Sequence, residues 1–340
     1  MKIRIRILLI AIILFVMYTV WEIFGPTISA PQDKYLYIKT GATYDDVKKQ
    51  LSDKKILSST FFFDLLAKQL KYSSNVKSGR YEIRNNINML SLIRKLKAGN
   101  QSPVKLIINK LRTKEDLAEK IGANFECDST EVIDFITNND SLKVYNLDTN
   151  TVMTAIIPNT YLLQWNGTFK KLFQRLRSEQ EKFWTDERKQ KAAAENLTPA
   201  QVYTMASIVE EETNKEADKG PIASVYLNRI DKGMRLEADP TVKYAMRNFA
   251  LKRILHGHLT YASDYNTYQY TGLPPGPICT PSIKTIDAVL NAPTTNYIFF
   301  VAKPDFSGYS NFANSYAEHL VFAKAYQHAL DSLMLSKQTN

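Results

Sequence analysis

The chain has 340 residues with 44 basic and 34 acidic side chains, a net charge of +10, and two cysteines. Its length exceeds what one core usually supports, which favours two domains, and two cysteines make no disulfide framework. No zinc-finger or helix-turn-helix signature accompanies the positive charge, so a nucleic-acid partner is disfavoured; anionic lipid headgroups or an anionic wall polymer suit it better.

Lys2, Arg4 and Arg6 are the only charges before an apolar run over roughly residues 7–21, which Ile23 and Phe24 extend, with Glu22 the one acid near its far end. A hydrocarbon core of ~30 Å needs about 20 helical residues, and basic residues stay on the cytoplasmic side. The run is therefore read as a single-pass anchor in the cell (inner) membrane, with the N-terminus cytoplasmic, the bulk of the chain extracytoplasmic and Glu22 reaching headgroups. A cleaved signal peptide is the rival, but Ile28-Ser29-Ala30 imitates a small-x-small cleavage site poorly. Neither Cys127 nor Cys279 sits in a lipobox, and both are expected as separate thiols.

Residues 1–25 are thus the cytoplasmic tip and anchor, and 26–34, with Pro26 and Pro31, read as a stalk. Residues 35–98 form a small α+β module: a strand at 35–38, and a helix over 44–51 capped by Thr43. A second helix capped by Ser58 or Ser59 follows, then a strand after Ser78-Gly79, and a helix over 89–96 ending at Gly99. Residues 99–335 form a larger mixed α+β domain. It has a strand at 104–108, a helix capped by Thr113 and closed by Gly122, and a helix from Ser129. A strand-like segment at 155–161 and a long charged helical stretch over 169–194 follow. A terminal helix over 316–335 should pack through Leu320, Ala323, Tyr326, Gln327 and Leu330, and 336–340 should fray.

Thr198-Pro199 opens a helix that ends in Glu210-Glu211-Glu212. Val202, Met205, Ala206 and Val209 share one face, with Glu210 and Glu212 flanking it about 80° to either side and Glu211 pointing to solvent. A half-buried carboxylate beside like charges has a raised pKa, as a general acid near neutrality requires, although a bare triple glutamate is more often a solvated helix end. Downstream come Asn228-Arg229, then Arg235 and Asp239-Pro240. Tyr265-Asn266-Thr267-Tyr268 and the stiff loop Gly272-Leu273-Pro274-Pro275-Gly276-Pro277 complete the series. Rigid loops carrying Asn, Tyr and Asp suit a neutral, hydroxyl-rich ligand such as a glycan. His256, His258, His319 and His328 lack ligand spacing, so neither a metal nor a cofactor is expected.

The runs Met205-Ala206-Ser207-Ile208-Val209-Glu210-Glu211-Glu212-Thr213 and Ala223-Ser224-Val225-Tyr226-Leu227-Asn228-Arg229 carry a resemblance. So do Gly233-Met234-Arg235-Leu236, Asp239-Pro240-Thr241-Val242, Tyr265-Asn266-Thr267-Tyr268 and Gly272-Leu273-Pro274-Pro275-Gly276-Pro277-Ile278, with Phe312 and His319. In that order they resemble the YceG-like endolytic murein transglycosylases. The resemblance implies that 35–98 is a LysM-like subdomain and 99–335 the catalytic domain. It implies a lyase that cuts the MurNAc-β-1,4-GlcNAc bond of nascent peptidoglycan strands, leaves 1,6-anhydro-MurNAc ends and terminates glycan elongation beside membrane peptidoglycan synthases. Carried over, the family's catalytic glutamate is Glu210. Two departures are Ser310, where the family often has His, and Asn159, where it commonly has Asp; position 211 is often lysine there.

Such a lyase needs one acid, because the substrate's own C6 hydroxyl attacks C1 at high effective concentration. Asn266 and Tyr268 could supply fixed dipoles to the oxocarbenium-like transition state, and Asp239 could stabilise its charge or cap a turn. Arg235, Tyr265, Pro275, Asn228 and His319 complete the expected supporting set. Glu212 is expected to pair with a base such as Arg229. Substitution by Gln should therefore hurt most at Glu210, less at Glu212 and least at Glu211. The rivals are a non-catalytic, membrane-anchored peptidoglycan-binding protein and a water-using muramidase with Glu210 and Glu212 as the acid pair. Their ~160° divergence on one helix argues against the second.

Overall fold

The computed structural model describes residues 2–57 and 59–338. The chain divides into two units. The first is Met1–Leu106 with Ile121–Asp128 and Tyr161–Thr168; the second is Ile107–Lys120, Ser129–Thr160 and Phe169–Asn340. The division therefore does not fall at the 98/99 junction, because two later segments return to the first unit.

In the first unit, α1 (Lys2–Phe24) is the one helix among the described residues long and apolar enough to cross a membrane, over Ile3–Phe24. It ends at Gly25, whose amide bonds to the Trp21 carbonyl and where a Cβ would lie 2.3 Å from that same oxygen. Glu22, expected at headgroup level, is buried. The segment expected as a stalk is also packed. Ile28 is buried in the core, its backbone bonds with Ile87 and Asn86, and Ser29 bonds to Ile56. A single apolar residue between prolines is a weak sequence signal, and the partners that bury it lie some thirty to sixty positions away.

β1 (Tyr35–Ile38) pairs antiparallel with β2 (Gly79–Glu82), Leu36 lying opposite Tyr81. Alternation turns Leu36 and Ile38 inward. Between the strands lie α2 (Tyr44–Asp53), held by a Thr43–Asp46 capping box, and α3 (Thr60–Gln69), capped by Ser59. Ser58, the other candidate cap, lies outside the described residues. α4 (Met89–Ala98) stops at Gly99 in the left-handed conformation at φ +74°. Val47, Leu51, Phe63, Met89, Leu92 and Leu96 join the strands in one core.

β3 (Val104–Ile108) and β4 (Asn159–Leu163) form a two-stranded sheet. The helices that follow β3 are α5 (Lys114–Gly122), α6 (Ser129–Ile136) and α7 (Asn139–Lys143). The strand expected over 155–161 starts later, because Val152–Ala155 forms a buried 3-10 turn. The stretch expected as one helix over 169–194 is two, α8 (Phe169–Phe183) and α9 (Asp186–Ala194). Trp184 is buried between them, and the Thr185 hydroxyl accepts from the Arg188 amide to start α9.

The rest of the second unit is built around α10 (Pro199–Glu212), which starts with a Thr198–Gln201 capping box and Pro199 in its first turn. α11 (Glu216–Asp231), α12 (Asp239–Ala245) and α13 (Ile283–Leu290) pack on it, as does α9. Residues 202–209 are consequently all buried. The one-sided apolar stripe read from the sequence is too narrow a description, because a helix enclosed on every side is a central one. Its polar members are satisfied locally: the Thr204 hydroxyl donates to Ala200, and the Ser207 hydroxyl donates to Thr204 and accepts from the Ile278 amide. β5 (Phe299–Ala302) and β6 (Ser310–Ala313) pair antiparallel, and α14 (Tyr316–Gln338) packs against both. On α14, Leu320 and Gln327 are exposed and the packed side is Phe322, Ala323, Tyr326, Ala329 and Leu330, half-buried. The helix continues to Gln338, and residues 339–340 of the expected frayed tail lie outside the described residues.

Candidate active site

The three glutamates that end α10 point in three directions, each into a different environment. Glu210 is enclosed. Its Oε2 accepts from the Ser282 hydroxyl at 3.1 Å, the Ser282 amide at 3.4 Å and the Thr285 hydroxyl, all at the first turn of α13. Lys219 of α11, almost fully buried, lies 3.5 Å away and also binds Glu216 at 2.7 Å. These bonds tie the carboxyl group to a helix N-terminus and to a buried ammonium group. This is an anchoring role that joins three helices.

Glu211 does not point to solvent. Arg112 donates to both its oxygens, at 3.2 and 3.1 Å, and Lys110 lies 3.1 Å away. Burial pushes its pKa up, but the two bases outweigh this and hold it below the ordinary carboxylate value. The helix wheel of α10 read this direction as open to solvent. What it could not show is that residues 109–112, tied to Thr280 by bonds through Leu111 and Asn109, cover that direction.

Glu212 faces a cleft of about 360 Å³ shared with Asp239, Tyr268, Phe299, Tyr316 and His319. Its Oε1 accepts from the Tyr226 hydroxyl at 2.7 Å; the expected partner Arg229 is engaged elsewhere. Burial raises the Glu212 pKa from 4.5 to about 7, the Tyr226 bond opposes this, and the charge of Asp239 adds to it. Asp239 in turn accepts from the Tyr268 hydroxyl at 2.7 Å. Burial, followed by the neighbouring acids Glu212 and Asp239 respectively, drives the Tyr226 and Tyr268 phenols well above their ordinary value. Both tyrosines therefore remain donors at physiological pH, and Glu212 is poised between its protonated and charged forms near neutrality.

The wall of the cleft is built by residues that act on the backbone. Arg229 donates to the carbonyls of Ile298, Arg235 and Leu236 and to Glu237, and lies over the Phe299 ring at 5.1 Å. Asn228 donates to the carbonyls of Thr295 and Tyr297. Together they hold the strand β5 entrance against the loop before α12. His319 stacks on Phe299 at 5.1 Å between centroids, and burial followed by the Arg229 charge lowers its pKa. Asn266 is fully buried. Its amide nitrogen donates to Leu259 and Tyr261 and its oxygen accepts from the Tyr268 amide, so its dipole shapes the loop that presents Tyr268 and is not free for a transition state.

The other expected residues lie outside the cleft. Arg235 and Pro275 are exposed, and Tyr265 packs on Tyr244 at 4.8 Å. The loop that contains Pro275 is fixed from beneath: at Gly276 a Cβ would stand 2.1 Å from the Asn150 carbonyl. Ser310, one of the two departures, gives its amide to buried Asp218 at 2.7 Å, and Asn159 begins β4. Cys127 and Cys279 are free and buried. Among the described residues no cluster of three or more His, Cys, Asp or Glu has metal-ligand proximity. Tyr226 was not singled out beforehand. Its signal was present, 14 positions after Glu212 in a motif otherwise notable for Asn228-Arg229, but only the α10–α11 packing brings the hydroxyl to the carboxylate.

Residues 36–325 match the YceG-like family. The chain belongs to that family. A Bacillus subtilis protein named endolytic murein transglycosylase is 27% identical over 327 residues, 87% of this chain and 87% of the relative. A Streptococcus pneumoniae protein of the same name is 25% identical over 324 residues, which is 86% of this chain but 58% of the relative. The crystal structure of a YceG-like protein from Listeria monocytogenes superposes with a TM-score of 0.57 at 26% identity, over 85% of this chain and 98% of that one. This YceG-like chain thus shares its family across both units, the cleft included.

Proposed function

We propose that this protein is an endolytic peptidoglycan transglycosylase, anchored by α1 with the rest of the chain outside the cytoplasmic membrane, and that Glu212 is its general acid–base. The observation that carries the reading is a single carboxyl group, tuned to about 7, opening on a cleft with aromatic walls and fixed phenol donors. Glu210, the residue the family resemblance pointed to, is already committed to Lys219 and the first turn of α13.

In this reading Tyr226 occupies Oε1 of Glu212, so Oε2 carries the proton to the leaving GlcNAc oxygen. The glycosidic C1–O bond breaks as that oxygen is protonated. The C6 hydroxyl of the same MurNAc closes on C1, and its proton returns to Glu212. No water is consumed and an anhydro ring remains. Asp239, aligned by Tyr268, lies on the same cleft to offset positive charge at C1. Tyr316, exposed at the cleft, offers a flat apolar face for a sugar ring.

A second reading has a specific basis. Glu212 and Asp239 are two carboxyl groups on one cleft, the arrangement a water-using muramidase requires. Mass spectrometry of muropeptides released from intact peptidoglycan separates the two, since an anhydro end is one water lighter than a reducing end. Reducing ends alone would replace the lyase by the hydrolase. The role in terminating nascent strands, a LysM-like glycan-binding contribution from residues 35–98 and association with membrane synthases belong to the same proposal. They rest on the family resemblance.

A further inference from the structure

α3 has one face that its own core does not cover. Phe62, Phe63, Leu66 and Ala67 are buried, but Phe61 and Leu65, one turn apart, are 66% and 55% exposed. A lone exposed apolar side chain needs no explanation; two stacked large ones beside an apolar helix form a patch. That patch is linked to α1 through the buried ring of Phe62. Phe61 meets Phe62 edge-on at 5.2 Å, and Phe62 meets Tyr18 of α1 edge-on at 5.7 Å.

The contact fixes depth. The apolar stretch Ile3–Phe24 has 22 residues, a rise of about 33 Å against a hydrocarbon core of ~30 Å. Tyr18 is six residues inside its outer end, about 9 Å along the axis. If α1 spans the bilayer, a side chain that touches Tyr18 cannot stand clear of the lipid. An amphipathic helix at a membrane surface buries its apolar face ~5–10 Å into the headgroup–acyl boundary, which is the same depth. Lys68, paired with Asp64 at 2.7 Å, and Lys71 are both exposed toward the end of this helix, where a base meets lipid phosphate.

We propose that the Phe61–Leu65 face of α3 is a lipid-contact surface, seated in the outer headgroup–acyl boundary of the bilayer that α1 crosses. The first unit then has two attachments to the membrane, a span and an in-plane helix, and its orientation relative to the bilayer is set. The inference rests on α1 being a membrane span. The exposed apolar side chains of α1, among them Phe15, Trp21 and Phe24, extend the same surface and favour lipid over a protein partner as the occupant.

The test uses the full chain in phosphatidylcholine–phosphatidylglycerol vesicles. Phe61→Cys, Leu65→Cys, Phe15→Cys and Lys49→Cys are each labelled with an environment-sensitive fluorophore. The native cysteines are buried and stay unlabelled in the folded protein. Lipids brominated close to the headgroup should quench the labels at positions 61 and 65 several-fold more than the label at 49, on exposed α2. Lipids brominated deep in the chain should quench position 15 most. Quenching at 15 without quenching at 61 and 65 overturns the proposal and leaves the anchor standing. Absence of quenching at 15 as well removes both. Self-quenching between labels at 61 that rises with protein density, without lipid quenching, gives the face to a second copy and also overturns it. A Phe61→Ser/Leu65→Ser variant, which loses no buried group, should stay folded and make the Lys49 label more distant from the bilayer.

Discussion

Glu210 and Glu212 stand two positions apart on one helix, and their surroundings have almost nothing in common. On the Glu210 side α13 presents its first turn and α11 a buried lysine, so Oε2 of the carboxylate is held inside the protein. On the Glu212 side α11 presents one tyrosine, and the remaining space is a cleft. The same side chain is a tie between helices in one place and, with its pKa raised to about 7, a carboxyl poised to exchange a proton in the other. The two environments differ in the donors they supply, four at Oε2 of Glu210 against one tyrosine at Glu212, and burial short of donors disfavours the charged form of Glu212.

The sharpest way to break this comparison is to remove each acid in turn. Glu212→Gln should lower anhydro-end formation by about 10²–10⁴-fold, the usual worth of general acid catalysis, with an unchanged circular dichroism spectrum. Glu210→Gln, per folded molecule, should keep most of the rate. If the two variants lose activity in the opposite order, the assignment of roles is reversed.

The next effect is on pH. Activity should fall as pH rises through about 7, where Glu212 loses its proton. Asp239→Asn removes a charge that raises this pKa, so the falling limb should move to lower pH. Tyr226→Phe removes a donor to the charged form, so the limb should move higher. Stability follows the same linkage. A carboxyl whose folded pKa exceeds its unfolded value of 4.5 contributes stability that is complete below 4.5 and lost as pH rises through about 7. Melting curves should therefore show Glu212→Gln gaining on the wild type between pH 5 and pH 8.

Glu210→Gln should act mainly on stability. It weakens charge-assisted bonds to Ser282, Thr285 and Lys219, each type worth about 1.5–3 kcal/mol, so denaturant titration should show a loss on the order of 2 kcal/mol. Retention of full stability would mean that the α10–α13 junction does not depend on the anion.

Glu211→Gln gives the smallest effect. The Arg112 guanidinium is partly exposed, so the bidentate pair should contribute about 1 kcal/mol by thermal or denaturant unfolding. The pH limb should move slightly downward, because the Glu211 charge also raises the Glu212 pKa.

Local chemistry made much of the chain legible. Thr43 with Asp46, Thr198 with Gln201, and Gly99 after Ala98 mark helix ends through bonds within four residues, so the sequence alone placed them. The continuous apolar run of α1 and the alternation of Leu36 and Ile38 were equally direct. The order of the motifs identified the family, and the helix wheel of α10 set the three glutamates apart but read Glu211 as facing solvent. What lay along each direction was decided elsewhere. The Glu211 partners are about a hundred positions upstream, the hydroxyl partners of Glu210 more than seventy downstream, and the aromatic wall facing Glu212 comes from β5 and α14. Ile28 and Asn266 show the same limit, one a packed residue in an apparent stalk and the other a buried brace in an apparent ligand loop. A residue's conformation and direction depend on its neighbours in sequence, whereas its ionisation depends on the dielectric and donors around it in space, and those exist only once distant segments have packed.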